Sequence, residues 1–280
     1  MKKILFLALF STSLFSNGYI DYLWVKEFFS DVEVEYLQAL AEKMNEDALS
    51  GTTNLITVEE ASNPDQLYRI EDMLSSYPEF QEFIENKITP YLSELLGDRY
   101  ITFKDKLNFK WPGGGAFQPH QDNPAFSHFV PDEFMNVMIP IDSATFENGC
   151  LWVAEDWRTD LFESPEVDQE MLSIGKAILP YLKGGPNHGS IMPALVEKIN
   201  WIPLLVSPKD LVIFSSFVPH KSEKNLSDGP RRAMFITFNK AYYGEFRKAY
   251  YEMKRDDPEN PVFHFATPTK ARGKDLLPGS

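Results

Sequence analysis

The chain has little cysteine, little positive charge and no long apolar run, and each shortage argues against a class of function. Its single cysteine, Cys150, cannot form an intrachain disulfide or build a thiolate metal site by itself. The net charge is −14, because 41 acidic residues outnumber 27 basic ones, and this balance argues against a nucleic-acid partner. No apolar run reaches the roughly 20 residues that cross a bilayer, so we expect no stable membrane span.

The N-terminus allows two interpretations. The stretch "MKKILFLALFSTSLFS" has a basic start, a short apolar run and small residues, which together outline a secretory signal. The same residues are equally compatible with a first strand or helix that packs on the domain. We treat residues 1–18 as a signal-like leader and expect a cytoplasmic protein, with export as the alternative.

The remainder, residues 19–280, is long enough for one domain with a buried core, and no linker divides it. The first third predicts helices. Ser30 and Glu33 form a capping box ahead of "DVEVEYLQALAEKM", which has apolar residues at helical spacing. A second helical stretch, "PEFQEFIENKITPYLSELLG", contains Pro90, which should break or kink it.

From about Tyr100 the apolar pattern changes to a period of two. Six short strand-like runs are separated by turn residues: "KLNFKW", "FQPHQD", "NVMIPID", "GCLWVAE", "DLVIFSSF" and "RRAMFITF". Residues 155–200 interrupt this pattern as an insertion, and the chain becomes helical again after Asn239. The pattern predicts a mainly β protein, either an antiparallel barrel or a double-sheet jelly roll, with flanking helices at both ends.

The candidate chemistry starts from His120, one of five histidines in the chain, and Asp122, which follows two positions later. Residues two apart on a strand share a face, so we expect both side chains to point the same way. His220 follows the apolar strand "DLVIF", where a side chain can face the barrel interior. Two histidines and one carboxylate form the facial triad expected of a non-haem Fe(II) oxygenase, which leaves coordination positions open.

A pair of arginines adds an anion site to this hypothesis. Arg231 and Arg232 open the strand "RRAMFITF", so one of them must point inward. A buried guanidinium needs an anionic partner, and its planar fork suits a carboxylate. A dicarboxylate cosubstrate that chelates iron at one end would need such an anchor at the other.

These motifs resemble the phytanoyl-CoA dioxygenase superfamily of Fe(II)- and 2-oxoglutarate-dependent oxygenases. The resemblance covers roughly residues 100–155 and 200–255 and includes "DKLNFKWPGGGAFQPHQDNPAF", "ENGCLWV" and "VIFSSFVPHKSEKNLSDGPRRAMFITFN". It is strongest for the branch of 2-aminoethylphosphonate dioxygenase-like small-molecule hydroxylases. It implies a double-stranded β-helix and a reaction that consumes 2-oxoglutarate and O2 as cosubstrates and releases succinate and CO2.

The resemblance also implies roles for individual residues. His120, Asp122 and His220 would bind Fe(II), and Arg231 would hold the distal carboxylate of 2-oxoglutarate. Further contacts to that cosubstrate are implied for Ser222 and Asn108. Where many relatives carry a "PGSH"-like turn, this chain reads "AEDW", so the substrate is less defined than the iron site.

The implied partner is a small-molecule substrate, a polar amine or a phosphonate. Two other functions remain open at this point. The first is a cupin-like protein that binds metal and ligand without catalysis, and the second is a zinc hydrolase that uses the same three ligands with a bound water. Lys106 and His188 are further candidates for contact with the substrate, and the sequence assigns neither a role.

Overall fold

The computed structural model describes residues 21–60, 63–130, 132–160, 178–185 and 187–265. The leader-like segment and part of the insertion lie outside these ranges, so the domain boundaries stay predictions. None of the helices within the described ranges has both the length and the apolar character needed to cross a membrane.

Antiparallel strands dominate the described chain. In chain order they are β1 (Tyr22–Val25), β2 (Ile56–Glu60), β3 (Asn63–Glu71), β4 (Tyr100–Lys110), β5 (Phe117–His120), β6 (Met135–Pro140), β7 (Leu151–Glu155), β8 (Asn200–Leu204), β9 (Leu211–Ser215), β10 (His220–Ser222) and β11 (Arg231–Lys240). They form a seven-stranded sheet, ordered β1-β9-β6-β11-β4-β3-β2, and a four-stranded sheet, ordered β5-β10-β7-β8. Buried residues of both sheets pack together, so the predicted double-sheet jelly roll, or double-stranded β-helix, is confirmed.

Helices flank this β core. They are α1 (Asp31–Ser50), α2 (Met73–Ser76), α3 (Pro78–Phe83), a π-helical turn (Ile84–Ile88), α4 (Thr89–Leu96), α5 (Asn123–Phe126), α6 (Trp157–Asp160), α7 (Pro193–Val196) and α8 (Arg247–Asp256), with 3₁₀ turns at Ala241–Tyr243 and Pro261–His264. The capping box of Ser30 and Glu33 is present at the start of α1. Pro90 lies in the first turn of α4, directly after the π-helical turn, so the helical hydrogen-bond pattern changes just before this proline while the backbone remains helical through it.

The strand β4 separates the main core from an internal cavity. Leu107 and Phe109 belong to the apolar core that α1 and the helices between α2 and α4 cover. The alternate residues Lys106 and Asn108 point the other way and line a cavity between the two sheets. The period-two pattern of this strand therefore decides which residues stabilise the fold and which reach the site.

Two of our sequence predictions were wrong in detail. The first third is not purely helical, because β1, β2 and β3 lie in it and extend the large sheet at both edges. Asp122 does not share a strand with His120, since β5 ends at His120 and Asp122 is the residue that precedes α5. Pro124, in the first turn of α5, favours a helix start at that point.

Candidate metal centre

Pairing of two short strands brings the two candidate histidines together. His120 ends β5, His220 begins β10, and the two residues are direct partners in the antiparallel register. Each ring is oriented by a backbone carbonyl two residues earlier: His120 Nδ1 donates to Gln118 O at 2.7 Å, and His220 Nδ1 donates to Val218 O at 3.0 Å. Both rings therefore present an unprotonated Nε2 to the same point, in the way that metal-binding histidines are held.

Asp122 completes the cluster from the turn after β5. Its Oδ1 lies 3.7 Å from His120 Nε2, and its Oδ2 lies 3.7 Å from His220 Nε2. The ligand atoms of these three residues all lie within 4.8 Å of one another, a spacing that a single metal ion could bridge. A hydrogen bond holds the carboxylate in place, since Asn136 Nδ2 donates to Asp122 Oδ2 at 2.9 Å. Asn136 is held in turn by Thr237, whose Oγ1 donates to Asn136 Oδ1 at 2.8 Å.

The charge state of the cluster suits a divalent cation. Burial lowers the pKa of His120 to about 3, and burial also lowers the pKa of His220, so both imidazoles are neutral. Burial opposes ionisation of Asp122, but the neighbouring His220 and Lys106 outweigh it and hold the pKa of that carboxyl below its ordinary value. Two neutral nitrogens and one carboxylate match the donor set of Fe(II) oxygenases and leave open positions.

The predicted anion anchor lies in the same cavity. Arg231 is buried, and burial lowers the pKa of its guanidinium to about 10. Its Nε has no hydrogen-bond partner within the described part of the chain. A buried hydrogen-bond donor without an acceptor lowers the stability of the folded protein. This side chain therefore suits a ligand with an anionic group, such as the carboxylate of 2-oxoglutarate.

The neighbouring arginine has the opposite environment. Arg232 points away from the cavity and donates from Nε to Asp142 Oδ2 and from Nη2 to Asp142 Oδ1, both at 2.8 Å. It also forms an ion pair with Glu42 on α1. The side chain that the strand period places inward is therefore Arg231, and the structure provides Arg232 with carboxylate partners of its own.

The two weaker candidates for the cosubstrate also line the cavity. Asn108 lies opposite Ala233 in the sheet and accepts a hydrogen bond from Arg69 Nε on its Oδ1 at 2.9 Å. Lys110 Nζ donates to Ser222 Oγ at 2.7 Å, which leaves the Ser222 hydroxyl proton available to a guest. Lys110 also donates to Glu223 O, and the loop comes this close because Gly149 has no Cβ, which would lie 2.3 Å from that oxygen.

The cavity brings together seven of the eight residues that the sequence singled out, namely the six with an expected role and Lys106. It measures about 430 Å³ including its open mouth. Its lining comprises Lys106, Asn108, Phe117, His120, Asp122, Leu151, Phe214, His220, Lys221, Ser222, Arg231 and Phe235. The other candidate, His188, lies in a turn, where its Nδ1 accepts a hydrogen bond from Gly184 N at 2.9 Å and its ring contacts Phe265.

Sequence reasoning missed two residues that support the site. Asn136 positions Asp122, and Arg69 positions Asn108. Asn136 and Arg69 reach the site only through strand pairings that the sequence does not reveal.

Comparisons with known proteins agree with this geometry. Residues 17–233 match the family model described as phytanoyl-CoA dioxygenase (PhyH). The chain is 38% identical to a 2-aminoethylphosphonate dioxygenase from the uncultured bacterium HF130_AEPn_1, over 68% of this chain and 65% of that protein, so the match spans just under two thirds of that relative. It is 30% identical to a methylphosphonate hydroxylase from Gimesia maris, over 84% of this chain and 82% of that protein.

The fold is shared with solved oxygenase structures. The crystal structure of EctD from S. alaskensis with 2-oxoglutarate and 5-hydroxyectoine superposes with a TM-score of 0.64 at 18% identity, covering 80% of this chain and 73% of that one. The non-haem α-ketoglutarate-dependent carbocyclase SnoK superposes with a TM-score of 0.57 at 15% identity, covering 79% and 80%. The family match extends over most of the chain and over both sheets that line the cavity. The chain belongs to the phytanoyl-CoA dioxygenase family of 2-oxoglutarate-dependent non-haem iron dioxygenases.

Proposed function

We propose that the protein hydroxylates a small molecule in a reaction that depends on Fe(II), 2-oxoglutarate and O2 and releases succinate and CO2. His120, Asp122 and His220 would hold the iron, because their donor atoms converge and their rings are already oriented. When bound, Fe(II) supplies the activation of O2 that oxidation of a C–H bond requires. The observation that carries the proposal is the buried Arg231, whose Nε lacks a partner among the described residues and which lines the same cavity as the triad.

The other cavity residues would bind and orient the cosubstrate. Arg231 would pair with its distal carboxylate, and the Ser222 hydroxyl and the Asn108 amide would donate to its oxygens. Lys110 supports this end by fixing Ser222 Oγ. Leu151 and Phe214 line the same space and would keep water away from the reacting atoms.

For the substrate we propose a phosphonate. Two relatives are named for 2-aminoethylphosphonate and methylphosphonate, and a phosphonate dianion fits a cavity with several cationic side chains in its lining. The amine of 2-aminoethylphosphonate is the second feature to test. A comparison of alkylphosphonates with and without an amino group would show whether the cavity recognises it.

The experiment is incubation of the protein with Fe(II), 2-oxoglutarate, O2 and one phosphonate, either methylphosphonate or 2-aminoethylphosphonate. We expect succinate and a product sixteen mass units heavier in matching amounts. Ligand binding without succinate formation would favour a cupin-like binding protein. Product formation that continues without oxygen and with Zn²⁺ in place of Fe(II) would favour a hydrolase.

A further inference from the structure

The residue between two of the candidate metal ligands directs its side chain toward other segments of the chain. Gln121 lies between His120 and Asp122 and is almost fully buried, with 2% of its surface exposed. Its Nε2 donates to Phe217 O at 2.6 Å, and its Oε1 accepts from Leu179 N at 2.7 Å. One amide therefore joins three segments: the turn that carries Asp122, the turn before β10, and the insertion.

The described part of the insertion packs directly on the segment that carries His120. Ile191 N donates to Pro119 O at 2.8 Å, so hydrogen bonds from the insertion reach the residues on both sides of His120. Buried apolar residues of the insertion, of β7 and of the turn before β10 add to these bonds in one cluster, which comprises Ala154, Trp157, Leu179, Ile191, Leu195, Ile199 and Phe217. The insertion is thus attached to the metal-binding segment by both hydrogen bonds and apolar contacts.

The Gln121 amide also supports the turn that orients the second histidine. Phe217 lies three residues before His220, in the turn whose carbonyl accepts from the Nδ1 of that ring. On the other side of Asp122, Asn123 N donates to the same turn, at Ser216 O and 2.9 Å. Hydrogen bonds from both neighbours of Asp122 therefore fix this carboxylate relative to His220.

We propose that Gln121 is a positioning residue of the metal centre, which couples metal binding to the docking of the insertion. The inference rests on the proposed function, because it requires that His120, Asp122 and His220 bind a metal ion. A bound ion would restrain both turns that the amide bridges, and the restrained amide would hold the N–H of Leu179 more firmly. Such coupling is reciprocal, so removal of the amide should weaken metal binding and should also loosen the insertion.

The test compares Gln121→Leu with Gln38→Leu in the full-length protein. Leucine is close to glutamine in volume and has no hydrogen-bonding atoms in its side chain, so Gln121→Leu removes the bonds to Phe217 and Leu179. Gln38 is the matched control, because its Nε2 also bridges distant segments, from α1 to Ile141 O at 2.9 Å, outside the cavity lining. Mn²⁺ is the probe, since it binds to the same donors as Fe(II).

Two quantities are measured in each protein. Electron paramagnetic resonance of the free ion gives the affinity for Mn²⁺. Mass spectrometry gives the rate of hydrogen exchange, with and without Mn²⁺, in peptides that contain Leu179 or Ile191, and a peptide from α1 reports on opening of the whole domain. The comparison of these peptides separates an effect on the insertion from a general loss of stability.

We expect Gln121→Leu to weaken Mn²⁺ binding roughly 10-fold, the scale for loss of an outer partner of a metal ligand. Gln38→Leu should change this affinity less than about 2-fold, because distant sites act independently. In the parent protein, saturating Mn²⁺ should slow exchange in the Leu179 peptide by roughly 10-fold relative to the α1 peptide, since the coupling acts equally in both directions. In Gln121→Leu this slowing should be lost.

Mn²⁺ binding in Gln121→Leu that equals that of the parent would overturn the inference, as would an equal loss of affinity in Gln38→Leu. If Gln121→Leu fails to fold, exchange in the parent decides. Slowing of the Leu179 peptide by Mn²⁺ would then support the inference, and its absence would overturn it. A parent protein that binds no Mn²⁺ would overturn the proposed function as well, whereas Mn²⁺ binding without slowing of this peptide would overturn the inference alone.

Discussion

The two sheets contribute different kinds of side chain to the cavity. The four-stranded sheet supplies two histidines, and each is oriented by a carbonyl two residues away in its own strand or turn. The seven-stranded sheet supplies Lys106 and Arg231, neither of which forms an ion pair within the described chain. The histidines of the small sheet are therefore oriented before any ligand binds. The cationic side chains of the large sheet instead depend on a bound anion to balance their charge.

The largest expected effect comes from removing one of the three candidate metal ligands, which are oriented without any bound ligand. Asp122→Ala should abolish iron binding and turnover, because it removes the anionic donor of the three. His120→Ala and His220→Ala should do the same. Metal content by elemental analysis and succinate release measure the effect, and circular dichroism checks that the fold is retained. Full activity in any of the three variants would remove that residue from the site.

A second prediction concerns Lys254, a buried cation beside the large sheet that does have a carboxylate partner, Glu71. Lys254→Met should destabilise the protein by about 3–5 kcal/mol, because Glu71 is fully buried and would keep only the longer contact to Arg69. Denaturant unfolding measures this loss. Lys248→Met, on the exposed side of the same helix, is the matched control and should cost less than about 0.5 kcal/mol.

The same pair predicts a dependence of stability on pH. Burial opposes ionisation of Glu71, but the charges of Lys254 and Arg69 outweigh it and hold the pKa of its carboxyl below the ordinary 4.5. A depressed carboxyl pKa contributes stability that is complete above 4.5 and is lost as the pH falls toward the folded-state pKa. The free energy of unfolding should therefore decrease from about pH 5 to about pH 3, and less steeply in Glu71→Gln. Equal slopes for the two proteins would contradict this assignment.

The neighbouring arginines test whether a missing partner marks a binding role. Arg231→Met should raise the KM for 2-oxoglutarate by about 100-fold, since it removes a charged hydrogen-bond donor worth about 3 kcal/mol, while the free protein keeps its stability. Arg232→Met should lower stability by about 1–2 kcal/mol through its lost contacts to Asp142, with little change in that KM. The reverse pattern would exchange the two assignments.

The smallest expected effect concerns Asn136 on β6 of the large sheet, which donates a hydrogen bond to the Asp122 carboxylate. Asn136→Ala should lower iron affinity or activity by roughly 10-fold, because Asp122 loses the amide that fixes its Oδ2. Iron titration with and without 2-oxoglutarate measures the change. Asn148→Ala, in an exposed turn, provides the control. A loss as complete as that of Asp122→Ala would mean that Asn136 acts directly on the metal.

The sequence predicted the parts of the site that depend on short-range pattern. The spacing of His120 and Asp122 was informative even though the expected shared strand was wrong, because the turn before α5 still directs Asp122 toward His120. The inward direction of one arginine followed from strand alternation alone. Helix boundaries near Ser30 and Pro90 were predictable because capping and proline effects are local.

The parts that were missed depend on pairing between distant strands. Arg69 reaches Asn108 only because β3 lies beside β4, and Asn136 reaches Asp122 from β6. β1 and β2 were also missed, since they are short edge strands of the large sheet. Such pairings are set by packing of the whole domain, and a local period carries no information about them.

The direct pairing of His120 with His220 has a consequence for how the chain folds. The two residues are one hundred positions apart in sequence, and a slip of one residue between β5 and β10 would turn one ring to the opposite face. Only the correct register would therefore assemble the proposed metal site, and a bound ion would add its free energy of binding to that register alone. Iron would thus stabilise chains in which β5 and β10 pair in the native register relative to chains in which the pairing has slipped by one residue.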